Sequence, residues 1–230
     1  MIIKILPAAR FALAMTISLI PMLSNKFFQR DACKVAQELL GKIIRHRCNG
    51  KWLAAQIIET EAYYLQDKGS HASLGNTPSR TALFMPAGTI YMYYARGRDS
   101  LNMSCAGDGN AVLIKSAYPY FDDKTHPDAV ACMQAHYPQP RALERLCAGQ
   151  TLLCQALGLK LPQWNQQQFD KTRFFMEDVG YKPESIIQTR RLGIPIGRDE
   201  HLPYRFIDKA FAPYCTSNPL GKRSIDFQLL

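Results

Sequence analysis

Apolar and polar positions recur with two different periods along this chain, and each change of period marks an element. Ala32, Val35, Ala36, Leu39 and Leu40 follow one another at helical spacing. Asp31 stands before them as a good N-cap, and Gly41 sits where a C-terminal cap belongs. This predicts an amphipathic helix. Lys42 to Arg47 then reads as a strand, Asn49-Gly50 as a two-residue hairpin turn, and Lys51 to Thr60 as the return strand carrying Leu53, Ala55 and Ile57. Thr89 to Tyr94 alternates with a period of two, placing Ile90, Met92 and Tyr94 on one face and Tyr91 and Tyr93 on the other. Ala95 to Asp99 reads as a basic, glycine-containing turn. Leu101 to Cys105 and Ala111 to Ala117 form a further hairpin through Gly107-Asp108-Gly109-Asn110.

The pattern weakens after Pro119. Asp122 to Gln139 reads as a loop or an irregular helix. Ala142, Leu143, Leu146 and Cys147 predict a short helix starting at Pro140 and ending near Gly149; Thr151 to Leu157 predicts a second, stopped by Gly158. Residues 160 to 180 carry no clear period. Ile186-Ile187 begins a late strand, Arg190 to Ile194 runs toward a turn, and Tyr204 to Ile207 reads as the final strand. Together these elements predict an α+β fold: a single compact domain with a curved, largely antiparallel β-sheet of hairpins and packed helices. It is expected to span 23–212, followed by a loose tail over 213–230. Residues 1–22 imitate a signal peptide, since Lys4 and Arg10 precede an apolar run from Phe11 to Leu23. The run is broken by Thr16, Ser18 and Pro21 and lacks a clean small-residue cleavage site. We read it as an over-long N-terminal extension, with a working start at Met15 or Met22.

Composition adds a bias. The chain has 230 residues, a net charge of +9 and 47% hydrophobic residues. That suffices for a sizeable core and favours anionic partners. Its seven cysteines are odd in number and include no Cys-x-x-Cys, which argues against a disulfide framework and for a reduced, cytoplasmic location. Cys147 and Cys154 lie seven apart in helix-like sequence and are expected on one buried face. His126, Cys132 and His136 match no standard zinc spacing, so no metal is expected.

The stretch Gln56 to Arg80 carries the chemistry. Glu59, Glu61 and Tyr63 share one face of a strand, and His71 follows in a polar, glycine-containing loop. A carboxylate beside an aromatic ring, with a histidine ten residues on, can stack a flat ring and activate water. Local sequence alone reads Glu61 as an ordinary solvated glutamate at a strand end. The ordered blocks around it say more. Glu59-Thr60-Glu61-Ala62-Tyr63, His71, Thr77-Pro78-x-Arg80, Phe84-Met85-x-x-Gly88-x-Ile90-Tyr91-x-Tyr93, Leu101-Asn102-Met103-Ser104 and Asp108-Gly109-x-Ala111-Val112-Leu113-Ile114 together resemble the alkyladenine (3-methyladenine) DNA glycosylases. Arg145-Leu146-Cys147-x-Gly149 and Leu153-Cys154-Gln155-Ala156-Leu157 extend the resemblance.

The resemblance implies a monofunctional glycosylase of base excision repair. Such an enzyme flips an alkylated or deaminated purine out of double-stranded DNA and hydrolyses its N-glycosidic bond, without a cofactor and without cutting the strand. It implies Glu61 as the general base, with Lys115 standing where relatives often place an arginine near the attacking water. Tyr63, His71 and Tyr93 would sandwich the flipped base, and Asn102 would stand at the pocket floor against ordinary guanine. Glu59 could be a second acid, although a supporting role fits better. A backbone carbonyl near Leu192-Gly193 would also reach the water. Arg80 and Arg98 are expected DNA contacts. The chain departs from the family where a tyrosine usually fills the gap left in the duplex: that position is Arg96, and either Arg96 or the nearby Tyr94 takes the role. A monomer is expected, with no membrane association. The competing readings are a binding module of the same fold without turnover, and a secreted hydrolase suggested by residues 1–23.

Overall fold

The structure is a computed structural model and describes residues 21–221 and 226–230. Expectations for residues 1–22 therefore lie outside the described residues, except for Pro21 and Met22. Met22 bridges to Glu177, and the Leu23 amide donates to Met176 O at 2.8 Å.

One short turn, α1 (Asn25–Phe28), precedes the amphipathic helix α2 (Ala32–Leu39). Asp31 caps α2 as predicted, accepting from the Lys34 amide at 3.0 Å, a contact worth about 1 kcal/mol. Ala32, Val35, Ala36 and Leu39 are buried against the sheet. β1 (Ile43–Cys48) and β2 (Lys51–Tyr63) form the expected hairpin, with φ of 50° at Asn49 and 80° at Gly50. Both signs match the mirror-image turn that twists with the strands. β3 (Ile90–Ala95), β4 (Arg98–Ser104) and β5 (Ala111–Pro119) make an antiparallel meander. The basic turn shrinks to Arg96-Gly97, with φ of 52° and 76°. α3 (Ala129–Gln134), α4 (Gln150–Leu157) and α5 (Leu161–Trp164) follow. β6 (Phe174–Glu177), β7 (Ile186–Thr189), β8 (Arg205–Asp208) and β9 (Phe227–Leu229) complete an open nine-stranded sheet. Its order is β3-β4-β5-β2-β8-β7-β9, with β1 and then β6 branching from β2, and every ladder is antiparallel.

The centre of the sheet is not regular. Ile57 pairs with Ala117, Glu59 with Ser116, and Thr60 with Ile114. Ile58 is thus an extra residue on β2 and Lys115 an extra residue on β5, and the two bulges cancel. Before the bulge Leu53, Ala55 and Ile57 face the main core; after it Ala62 does, and Thr60 donates to Ala36 O on α2 at 2.8 Å. Period-two counting alone puts Leu53, Ala55 and Ile57 on the same face as Glu59. The bulge separates them, which leaves the carboxylates outside the apolar core.

Other differences have local causes. The helix expected over Ala142 to Cys147 is only a 3-10 turn, Leu143–Arg145, because Cys147 runs alongside β5 and its carbonyl accepts from the Ala117 amide at 3.0 Å. Cys147 and Cys154 are both buried in the core, yet only Cys154 is on a helix. The strands do not end at β8, since β9 pairs with the β7 edge. The segment expected as a loose tail also contains Thr216, whose amide reaches Glu59. Among the described residues no helix is long and apolar enough to cross a membrane, and no group of His, Cys, Asp or Glu could hold a metal ion.

Candidate active site

Glu61 is fully buried on β2. Its Oε1 accepts from the Leu192 amide at 2.9 Å; its Oε2 accepts from the Tyr63 hydroxyl at 2.7 Å and from Lys115 Nζ at 3.3 Å. Lys115 lies two residues from Leu113, the register partner of Glu61, and so shares the carboxylate side of β5; the bulge adds Ser116 to that same side. A carboxylate offers about four acceptor positions, so three donors leave room for one more. Burial, reinforced by the Glu61 charge and hydrogen bond, holds the Tyr63 hydroxyl well above the ordinary phenol range, so it stays a donor.

Tyr63 and Lys115 open onto a cavity of about 780 Å³, which His71, Tyr93 and Asn102 also line. Glu61 itself does not line the cavity and is joined to its wall by hydrogen bonds from Tyr63, Lys115 and Leu192. Of the six residues expected to act on or hold the base, five line one chamber, and Glu61 lies outside its lining. Arg191 covers the Tyr63 ring from 4.5 Å, bonds Ala62 O at 3.1 Å and pairs with buried Asp67 at 2.8 Å. These interactions fasten the loop that delivers the Leu192 amide.

His71 packs its ring edge-on to Tyr93, with centroids 4.3 Å apart. Its Nδ1 meets the Tyr91 hydroxyl at 2.9 Å. Burial, then the charges of Arg80 and Arg198, depress the His71 pKa and keep the ring neutral at pH 7. Tyr91 is pushed up by burial and remains a donor, so Nδ1 accepts and Nε2 carries the proton. Tyr91 is therefore what fixes the His71 ring. Asn102 is anchored by Nδ2 to Tyr91 O at 3.2 Å.

Arg96 stands exposed at the tip of the β3–β4 hairpin and lines the cavity mouth with Arg98. Tyr94 is 56% exposed and does not line the cavity. Arg80 does not line it either: its guanidinium donates to Leu74 O and Gly75 O, holding the loop that carries His71.

Sequence reading missed Arg191, Asp67 and the partners of Glu59. Glu59 is fully buried; Arg205 Nε donates to it at 2.6 Å, Ser116 Oγ at 2.5 Å and the Thr216 amide at 3.0 Å. A cation inside the predicted strand Tyr204 to Ile207 was the available signal, because a buried arginine needs a carboxylate partner. Near Leu192 it is the amide that meets Glu61, where a carbonyl was expected to reach a water.

A family model described as methylpurine-DNA glycosylase (MPG) matches residues 26–211. A Pseudomonas aeruginosa protein is 60% identical over 215 residues, covering 90% of each chain. A protein of Pseudomonas syringae pv. tomato is 59% identical over 208 residues, covering 89% of this chain and 93% of its own. One from an Anaeromyxobacter species is 31% identical over 189 residues, covering 80% and 87%. All three carry the description "Putative 3-methyladenine DNA glycosylase".

Proposed function

Starting from a chain that belongs to the methylpurine-DNA glycosylase family, and so to the hydrolases of N-glycosyl bonds in DNA, we propose that it excises alkylated or deaminated purines with Glu61 as general base. The candidate bases are 3-methyladenine, 7-methylguanine, hypoxanthine and ethenoadenine. The observation that carries this reading is a buried carboxylate with spare acceptor capacity behind a chamber lined by aromatic rings.

The flipped base stacks against Tyr63, His71 and Tyr93, which offsets the stacking it loses in the duplex, roughly a few kcal/mol. Electron-poor alkylated purines are held well by tyrosine faces. Asn102, fixed through Tyr91, obstructs a purine bearing an extra exocyclic amine. Water sits at the Lys115 edge of Glu61, the longest of that carboxylate's three hydrogen bonds. Its oxygen attacks C1′ of the sugar while its proton passes to Glu61. The C1′–N bond breaks and its electron pair leaves with the base. The ionised carboxylate also favours the oxocarbenium-like sugar electrostatically. Free purine and an abasic site result. A methylated purine leaves as a neutral base because alkylation has made it cationic, and hypoxanthine or ethenoadenine takes up a proton from solvent as it leaves, so the reading calls for no metal or organic cofactor. Arg96, at the hairpin tip, occupies the gap in the duplex in preference to Tyr94.

Single-turnover base release from duplexes carrying hypoxanthine or methylated purines tests this, comparing the parent with Glu61→Gln. Release by the parent, lost in the variant while lesion binding persists, supports the reading. Release unaffected by the substitution moves the base elsewhere. Tight DNA binding with no release from any lesion favours a binding module.

A further inference from the structure

A second cleft, of about 610 Å³, lies on the other side of the β3–β4 hairpin from the aromatic chamber. Asn49 and Gly97 both line it, so it is framed by two hairpin turns. Arg47, Arg98, Lys160 and Arg173 supply four cationic side chains against one carboxylate, Asp99. Asp99 is already engaged by Lys160 at 3.4 Å and by the Leu161 amide at 2.8 Å. Among the described residues, Arg47, Arg98 and Arg173 form no salt bridge with any carboxylate. Arg47 bonds only Gly50 O at 3.3 Å, Arg98 only Gln155 at 3.4 Å, and Arg173 lies 4.8 Å over the Trp164 ring.

The thiol–imidazole pair in the cleft, Cys48 Sγ and His136 Nε2 at 3.8 Å, is held as a neutral thiol, because burial raises the Cys48 pKa. His46 is locked in the cleft wall, with Nδ1 on Leu157 O at 2.7 Å and Nε2 accepting from Trp164 Nε1 at 3.3 Å. Burial depresses its pKa and keeps it neutral. What the cleft offers is net positive charge with hydrogen-bond donors, the chemistry that meets phosphodiester oxygens. Arg98 and Thr151 line both cavities, so this charge continues from the aromatic chamber across the hairpin.

We infer that the cleft holds the sugar-phosphate backbone of the bound duplex beside the inserted hairpin, through Arg47, Lys160 and Arg173. The inference rests on the DNA reading above and extends the footprint beyond the flipped nucleotide. Backbone interactions of this kind set register without reading sequence.

The test is the salt dependence of duplex binding, followed by anisotropy on lesion-bearing and undamaged DNA. Removing one side chain that neutralises a phosphate lowers the slope of log K against log salt by about 0.9. Lys160→Gln/Arg173→Gln is expected to lower it by about 2 and Arg47→Gln by about 1, equally on both duplexes. Parent-like slopes in both variants overturn the inference. If the double variant loses its cooperative melt, Arg47→Gln alone decides. A thermal shift with inorganic phosphate, at ionic strength matched with chloride, provides the second arm. A phosphate-specific shift that the variants abolish, with DNA slopes unchanged, would assign the cleft to a free anion and overturn the inference. Base release by the parent is scored separately: its absence with the expected slopes would reject the glycosylase reading and leave the cleft standing.

Discussion

Glu59 and Glu61 stand two residues apart on the same face of β2, and both are fully buried. Their surroundings differ in kind. Both Glu59 oxygens are engaged at 3.0 Å or less by Arg205, Ser116 and Thr216, and Ser116 also touches the Thr216 hydroxyl at 3.0 Å. Neither the chamber nor the basic cleft is lined by Glu59 or Arg205. Glu61 has a hydroxyl, an amide and a looser ammonium partner, and all three donors come from residues that line the chamber. The first carboxylate ties β2 to β8 and to the segment after it. The second holds its third donor, Lys115, at a looser 3.3 Å. Burial by itself thus says little about role, and so does donor number, which is three for each; what separates the two is how closely the donors sit and whether the residues supplying them line the chamber.

The comparison can be broken by exchanging each carboxylate for its amide. Glu61→Gln should lower single-turnover base release by about 10²–10⁴-fold, with a smaller loss of stability than Glu59→Gln, because the ammonium it strands, Lys115, borders the chamber. Glu59→Gln should do the reverse. It leaves the Arg205 guanidinium buried without a counter-charge and should cost about 3–5 kcal/mol in urea unfolding. If Glu59→Gln melts like the parent while losing release, the two roles have been assigned the wrong way round. Tyr63→Phe sharpens the contrast: it keeps the stacking ring and removes one Glu61 donor, so release should fall about 10-fold with lesion affinity nearly unchanged. A mild effect away from both carboxylates serves as a control. His46 is held neutral, with its pKa depressed chiefly by burial. Its contribution to stability is therefore full above about pH 6.5 and lost as pH falls below that toward its folded value. Urea midpoints should decline from pH 7 to pH 5, and His46→Gln should flatten that decline.

The legible parts of the fold were those set by neighbouring residues. Asp31 capping α2, the Asn49-Gly50 turn, and the two faces of β3 follow from local sterics and period, and the structure has each of them. The shared face of Glu59 and Glu61 was legible too. The bulge that separates that face from Leu53, Ala55 and Ile57 was not, since no glycine or proline marks Ile58 or Lys115. Arg191 and Arg205 could not be assigned for a different reason. Their partners lie 124 residues away at Asp67 and 146 residues away at Glu59, and only the assembled sheet brings them together. The 3-10 turn at Leu143–Arg145 overrode a helical pattern because Cys147 found a partner on β5.

The cancelling bulges behave like two frameshifts that restore the reading frame. Residues outside them keep the partners a regular ladder would give: Ile57 stays opposite Ala117 and Thr60 opposite Ile114. Inside them the carboxylate face gains one side chain per strand, so consecutive residues of β5 serve different acids, Ser116 for Glu59 and Lys115 for Glu61. A regular strand would turn one of those two away. Deleting residues 58 and 115 together would leave the sheet in register while stripping Glu61 of its cation. Such a chain could gain or lose this patch by a paired single-residue insertion or deletion, with the rest of the architecture untouched.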